Sequence, residues 1–186
     1  VEIVDTIPQL LEKVDYVILT TIDGNKHLEQ VMPVFEAGLP VFIDKPLAAS
    51  MDDARKIAAA AERYNTPMFS ASSLRFLNGA HEVRNGRLGR VNSVEAYSPA
   101  YIEEHHPDLF WYGVHGVEIL FTILGLGCQW VERTFTPDMD LVVGMWEGDR
   151  IGTFRGIRKG RAGYGGIVYA EDGIELLNNF EGYSGL

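Results

Sequence analysis

Three stretches of the sequence carry residue types that can do chemistry. The first is Asp44-Lys45-Pro46, directly after the apolar run Val41-Phe42-Ile43. Such a run reads as a buried strand of a parallel sheet, and open α/β sheets bind ligands at the carboxyl ends of their strands. A lysine there can donate to a hydroxyl and stabilise the negative charge that develops on oxygen as hydride leaves its carbon. The plain alternative is a surface lysine in a strand–helix loop. The second stretch is Glu103-Glu104-His105-His106-Pro107-Asp108. Imidazole and carboxylate ligands suit zinc or manganese and hydrolysis by activated water. The spacing fits no compact metal motif such as H-E-x-x-H, and a polar loop entering a helix has the same composition. The third is His115, with Glu118 three residues on. Imidazole titrates near ~6.5 and so exchanges protons near neutral pH; a helix histidine bonded to a backbone carbonyl is the alternative.

The elements that must position these residues follow a βα rhythm in the first part of the chain. Residues 16–21 read as a strand buried on both faces, and residues 25–37 as a helix loosened at Pro33, which has no N–H to donate. The strand 41–43 follows. Ser50 and Asp53 form an S-x-x-D cap for a helix over 51–64, and residues 68–72 make a third strand. This alternation predicts a parallel α/β sheet with right-handed crossovers. After Arg75 the pattern changes to a helical region over 76–85, a strand over 91–97 and a helix over 110–124. Strands follow at 141–146, 151–157, 167–170 and 174–177, the last pair around the hairpin dipeptide Asp172-Gly173. The fold class is thus α/β and α+β: a partial Rossmann-like parallel sheet, then a largely antiparallel open sheet with helices on one face. The domains divide as 1–74 and 75–186.

Several of these motifs, in this order, resemble the Gfo/Idh/MocA oxidoreductases. The carriers are Asp44-Lys45-Pro46, Thr66-Pro67, Arg75-Phe76, Leu88-Gly89-Arg90-Val91 and the segment Tyr112-Gly113-Val114-His115-Gly116-Val117-Glu118. The resemblance implies a Rossmann-type cofactor domain followed by a substrate domain, and NAD- or NADP-dependent hydride transfer on a sugar, polyol or related hydroxy compound. It further implies that Lys45 orients the reacting hydroxyl and that His115 takes its proton as general base. Cofactor contacts fall at Thr20, Ile22, His27, Asp44, Lys45 and Arg75. Substrate contacts fall at Lys45, His105, His106, Trp111 and His115, with no metal. Relatives often pair through the second-domain sheet, so residues 141–177 are the expected surface of a homo-oligomer.

The departures from the family pattern are specific. Trp111 stands where an aspartate commonly precedes the histidine by one helical turn, and an indole cannot accept a proton. The turn Ile22-Asp23-Gly24-Asn25-Lys26-His27 keeps only the histidine of T-P-N-x-x-H. The glycine-rich G-x-G-x-x-G that cradles a pyrophosphate is not in the sequence, and Gly163-Tyr164-Gly165-Gly166 reads as a loop. With a strand opening the chain so early, the 186 residues are expected to be a fragment, inactive alone, that lacks the first part of the cofactor domain and the end of the second. Two other functions remain open on these residues: a metal-dependent hydrolase built on His105, His106 and His115, and a catalytically dead binding or scaffold module.

Composition removes other classes. Sixteen Lys and Arg against 26 Asp and Glu give a formal charge of -10, which repels phosphates and argues against nucleic acid. No apolar run approaches the ~20 residues that span a bilayer. The one cysteine, Cys128, can form neither an internal disulfide nor a cysteine metal cluster. The expected location is the cytoplasm, any export signal lying before Val1.

Overall fold

A computed structural model describes residues 2–179 and divides the chain into two units: Val1–Ala71 with Glu103–Phe110, and Ser72–Ile102 with Trp111–Leu186. The division thus falls three residues before the expected one. It also assigns the polar segment Glu103–Phe110 to the first unit rather than to the second.

In the first unit, β1 (Val17–Leu19), β2 (Val41–Ile43) and β3 (Met68–Ser70) form a parallel sheet in that order, with Val17, Val41 and Met68 in register. A short helix, α1 (Ile7–Leu11), precedes the sheet, and the crossovers are α2 (His27–Glu36) and α3 (Met51–Arg63). Ser50 caps α3 as its sequence predicts, its hydroxyl accepting from the Asp53 amide at 3.0 Å. Helix α2 runs through Pro33 without a break. Consecutive crossovers that step in one direction put their helices on one face. Val17, Val41 and Ile43 therefore meet Val31, Val34, Phe35 and Ile57 in a single apolar core. The other face carries Ile18, Phe42 and Phe69, with Ile18 61% and Phe69 45% exposed. The expectation that β1 is buried on both faces is corrected accordingly, because both crossover helices of this unit lie on the same side.

The second unit is built on a six-stranded sheet in the order β5-β6-β7-β4-β8-β9. Its strands are β4 (Val91–Pro99), β5 (Cys128–Phe135), β6 (Met139–Trp146), β7 (Arg150–Ile157), β8 (Gly165–Ala170) and β9 (Gly173–Leu177). The β4–β7 pairing is parallel and the other four are antiparallel. Strand β5 is absent from the sequence reading: it is an edge strand, exposed along most of its length, with a register shift at Cys128/Trp130 that breaks its alternation. The expected helix over 76–85 resolves into a 3-10 turn at Ser73–Phe76 and the short α4 (Ala80–Arg84). Gly165 and Gly166, expected in a loop, begin β8. Helix α5 (Gly113–Leu124) packs on β4 and β7, burying Ile119, Leu120 and Ile123 near Phe154 and Val94. Among the described residues no helix packs on the opposite face of the sheet, which presents Leu141, Val143, Met145 and Ile151. Among the described residues, no helix is long and apolar enough to cross a membrane.

The approach of α5 to the sheet depends on Gly116, the residue after His115. A Cβ there would meet the Phe154 ring at 2.3 Å, closer than real contacts allow. Gly116→Ala is expected to destabilise the second unit by about 1–3 kcal/mol through overpacking, measured as a lower midpoint in urea denaturation. An unchanged midpoint would show that α5 tolerates displacement from the sheet.

Candidate functional site

In the first unit, Thr20, Ile22, Asp44 and Lys45 all follow the carboxyl ends of β1 and β2, the edge where parallel sheets bind ligands. Thr20 and Ile22 are exposed. Asp44 is tied down through its amide, which donates to Leu19 O at 2.9 Å, while its carboxylate accepts from the Lys45 amide at 2.8 Å. Lys45 is half-buried and the Lys45–Pro46 bond is cis. Burial pushes the Lys45 ammonium below its usual range, and the neighbouring Asp44 charge opposes that shift. The ammonium is therefore less hydrated than a surface lysine and better placed to stabilise a charge on a ligand oxygen.

Two buried histidines fix these loops. His27 is fully buried, with Nε2 2.7 Å from Thr21 O and Nδ1 3.2 Å from Leu47 O. The expectation that His27 faces a cofactor is corrected: the ring is buried between two backbone carbonyls of the β1 and β2 loops, to one of which a neutral imidazole donates. Beside it, a Cβ on Gly24 would lie 3.0 Å from backbone atoms of Ala48 and Ala49, so only glycine lets these two loops meet. The Gly24 amide donates to His106 Nε2 at 3.0 Å, which puts the His106 proton on Nδ1, and Nδ1 in turn lies 2.8 Å from Glu103 Oε2. The Asn25 side-chain amide donates to His105 O at 2.7 Å. Residues Glu103–Phe110 are thus fastened over the turn that starts α2.

This arrangement decides what the acidic and histidine cluster can do. His106 is 4% exposed and has both ring nitrogens engaged, so it is neither an exposed substrate contact nor an available metal ligand. His105 is the exposed member, paired with Glu103 at 2.6 Å. The Glu103 carboxyl is pushed down to about 2 by hydrogen bonds from His105 and then His106, and His105 is raised by the same pairing. Among the described residues, the trio whose ligand atoms come within 4.8 Å of one another is Glu103, Glu104 and His105. His106 and His115, required by the hydrolase alternative, are not in it.

The second unit holds His115, 8% exposed on α5. Its Nδ1 lies 2.7 Å from the hydroxyl of Ser72, and its ring meets Tyr112 and Tyr164 edge-on at 5.3 and 5.6 Å. Burial raises the Tyr164 phenol above its usual range, as do the nearby Tyr112 and Tyr101. Glu118 does not orient the imidazole directly: its carboxylate takes the Arg75 Nε at 2.6 Å and the Ser72 amide at 3.2 Å. Arg75, expected at the cofactor, gives its Nε to that ion pair. Trp111 is half-buried and precedes the first residue of α5, so the position of the absent aspartate is not on the helix face below His115. Ser72 and Tyr164 were missed in the sequence. Ser72 reads there only as the end of a strand, and no spacing rule links it to His115 across 43 positions.

Together these features define a Rossmann-type parallel segment with a half-buried lysine at its carboxyl edge, followed by an open-sheet unit with a buried, hydroxyl-bonded histidine. Residues 1–71 match the model of an oxidoreductase family with an NAD-binding Rossmann fold. That family is the Gfo/Idh/MocA oxidoreductases, and the match covers the first unit's segment of the chain. An uncharacterized oxidoreductase of Streptococcus pneumoniae is 30% identical over 104 residues, covering 54% of this chain and 28% of that protein. A 1,5-anhydro-D-fructose reductase of Ensifer adhaerens is 29% identical over 96 residues, covering 50% and 28%. The crystal structure of GenD2 from gentamicin A biosynthesis, in complex with NAD, superposes with a TM-score of 0.81 at 21% identity, covering 98% of this chain and 60% of that one. The matches thus span little more than a quarter of the curated relatives, and the chain spans about three-fifths of the solved structure.

The histidine clamp yields two measurable outcomes. His106→Ala leaves the buried Gly24 amide without its acceptor, and its hydrogen exchange is expected to speed at least about fivefold. Glu103→Gln should return His105 from its raised value toward 6.5 in an NMR titration. The signs follow from linkage. Depression of Glu103 supports the folded loop above about pH 4.5 and is lost as pH falls toward 2, whereas the raised His105 supports it below 6.5 and is lost as pH rises through its folded value. An unshifted His105 in the unsubstituted chain would refute the pairing.

Proposed function

We propose that this chain forms part of an NAD(P)-dependent oxidoreductase acting on a hydroxyl or carbonyl carbon of a sugar, polyol or related compound. The observation that carries the reading is Lys45: a half-buried lysine, with its ammonium pushed down by desolvation, at the carboxyl end of the central strand of an NAD-binding family segment. The residues present fit the nicotinamide side of such a cofactor. Exposed Thr20 and Ile22 border the same strand edge as Lys45 and offer one polar and one apolar side chain. The glycine fingerprint for a pyrophosphate is not among the residues of this chain. When bound, the nicotinamide supplies the hydride acceptor or donor.

The chain's own residues would do the rest. Lys45 orients the substrate oxygen and stabilises the negative charge that develops on it. His115 is assigned proton transfer, a task for which imidazole, with an unperturbed pKa of ~6.5, is suited. The sugar or polyol class is favoured by the similarity to a 1,5-anhydro-D-fructose reductase, named for an anhydro sugar. The uncovered sheet face of the second unit, with Leu141, Val143 and Met145 in its middle, is the proposed surface for pairing with a second copy.

In the full-length protein, Lys45→Ala and His115→Ala are each expected to lower kcat by about a hundredfold or more. The urea midpoint should stay nearly unchanged in Lys45→Ala and fall in His115→Ala, which takes the partner from the buried Ser72 hydroxyl. Full turnover in either variant removes the assigned role. A full-length protein that neither binds nor reduces a nicotinamide coenzyme, by calorimetry and absorbance, would end the dehydrogenase reading and favour a binding module. Val143→Glu is expected to convert a dimer to a monomer in sedimentation; a monomeric unsubstituted protein would overturn the pairing surface.

A further inference from the structure

Within the second unit, helices α4 and α5 border a groove of about 380 Å³ whose charges do not balance. Arg75 gives its Nε to Glu118 at 2.6 Å, so those two charges offset each other. Arg84 pairs with no carboxylate among the described residues; its Nη1 donates to Thr122 O at a long 3.3 Å. The carbonyl end of α5 has other partners. The Gly125 amide closes on Phe121 O at 3.0 Å, and Arg150 donates to Leu124 O at 2.8 Å. A guanidinium carries five N–H donors in a planar fork, and among the described residues most of Arg84's meet no acceptor. Its Nη2 lies beside Gly125, where a Cβ would sit 3.8 Å away and where no side chain fills the space.

Other groups on the same groove suit an anion. His81 precedes Arg84 by three residues and so shares its face of α4; its ring tilts against Phe76, 6.2 Å between centres. Among the described residues its ring nitrogens have no hydrogen-bond partner. The Thr122 hydroxyl, buried in the groove wall, likewise has none among the described residues. A buried unpaired hydroxyl costs free energy, which a ligand oxygen at that wall offsets. The remaining wall is apolar, with Phe121 37% and Leu126 86% exposed. In a chain of formal charge -10, an unbalanced guanidinium beside an imidazole is a local site for negative charge. We propose that the α4–α5 groove binds a small organic anion, a carboxylate or phosphate ester carried on an apolar body. The Arg84 fork and His81 take the oxyanion, as arginine takes planar oxyanions elsewhere, and Phe121 and Leu126 pack on the body.

The site makes no use of Lys45 or His115, so its test stands apart from the hydride-transfer reading. The 186-residue chain, labelled with 15N, is titrated with benzoate, phenyl phosphate and the neutral benzyl alcohol. At least one anion is expected to shift the His81, Arg84 and Leu126 amide signals saturably, with a Kd of about 1 mM or tighter. It should bind about tenfold or more tighter than benzyl alcohol, and the tighter of the two anions identifies the carboxylate or the phosphate ester. Arg84→Gln should weaken that anion about tenfold or more. Leu126→Glu keeps the bond from Arg84 to Thr122 O and sets a like charge at the groove, and should weaken it about threefold or more. Neither anion saturating by about 10 mM, benzyl alcohol binding as tightly, or shifts confined to other residues would each overturn the proposal. Unchanged affinity in Arg84→Gln or in Leu126→Glu would do the same. Should Arg84→Gln not fold, Leu126→Glu, at an exposed position, decides.

Discussion

The first unit depends on how the backbone polar groups at the carboxyl ends of its strands are satisfied. A parallel sheet leaves loops there that must turn back into helices, and a buried carbonyl without a donor costs free energy comparable to a lost hydrogen bond. The His27 ring lies between Thr21 O and Leu47 O and, when neutral, donates to one of them, filling the space between the β1 and β2 loops. Gly24 lets the same loops touch, and its amide is closed by His106. Lys45 gains its fixed, half-buried setting from this bracing. Histidine suits the bracing at His106, where one ring nitrogen accepts from the Gly24 amide and the other faces the Glu103 carboxylate.

The second unit solves a different problem with the same side chain. Here the inner nitrogen of the imidazole meets a hydroxyl, which can both donate and accept. Gly116 sets how closely α5 approaches Phe154 on β7, and Ser72 with Glu118 and Arg75 sets how the ring is held. Packing thus supplies the position and hydrogen bonding supplies the orientation. Three of the chain's five histidines are buried, and their partners differ according to what each must do.

Much of the fold was legible because its signals are local. The runs at β1, β2 and β3, the Ser50 cap and the Asp172-Gly173 hairpin each announce themselves within a few residues. Strand β5 was not legible, since an exposed edge strand with a register shift has neither continuous burial nor alternation. The site was half legible. Lys45 could be located from the strand before it and His115 from its motif. The roles of His27, His106 and Ser72 could not, because burial and partners many positions away in sequence decide them.

The sequence by itself determined the order of the elements, the βα rhythm giving way to an open mixed sheet, and the residue types at Lys45 and His115. These rest on periodicity, capping and short motifs, all properties of neighbouring residues. Only the tertiary structure decided which histidines are structural, where Glu118 directs its charge and which atom faces His115 Nδ1. A hydrogen bond is made by atoms within about 3 Å of each other, and sequence distance carries no record of that. The same imidazole lies between two backbone carbonyls at His27 and against a serine hydroxyl at His115 because folding gave the two rings different neighbours.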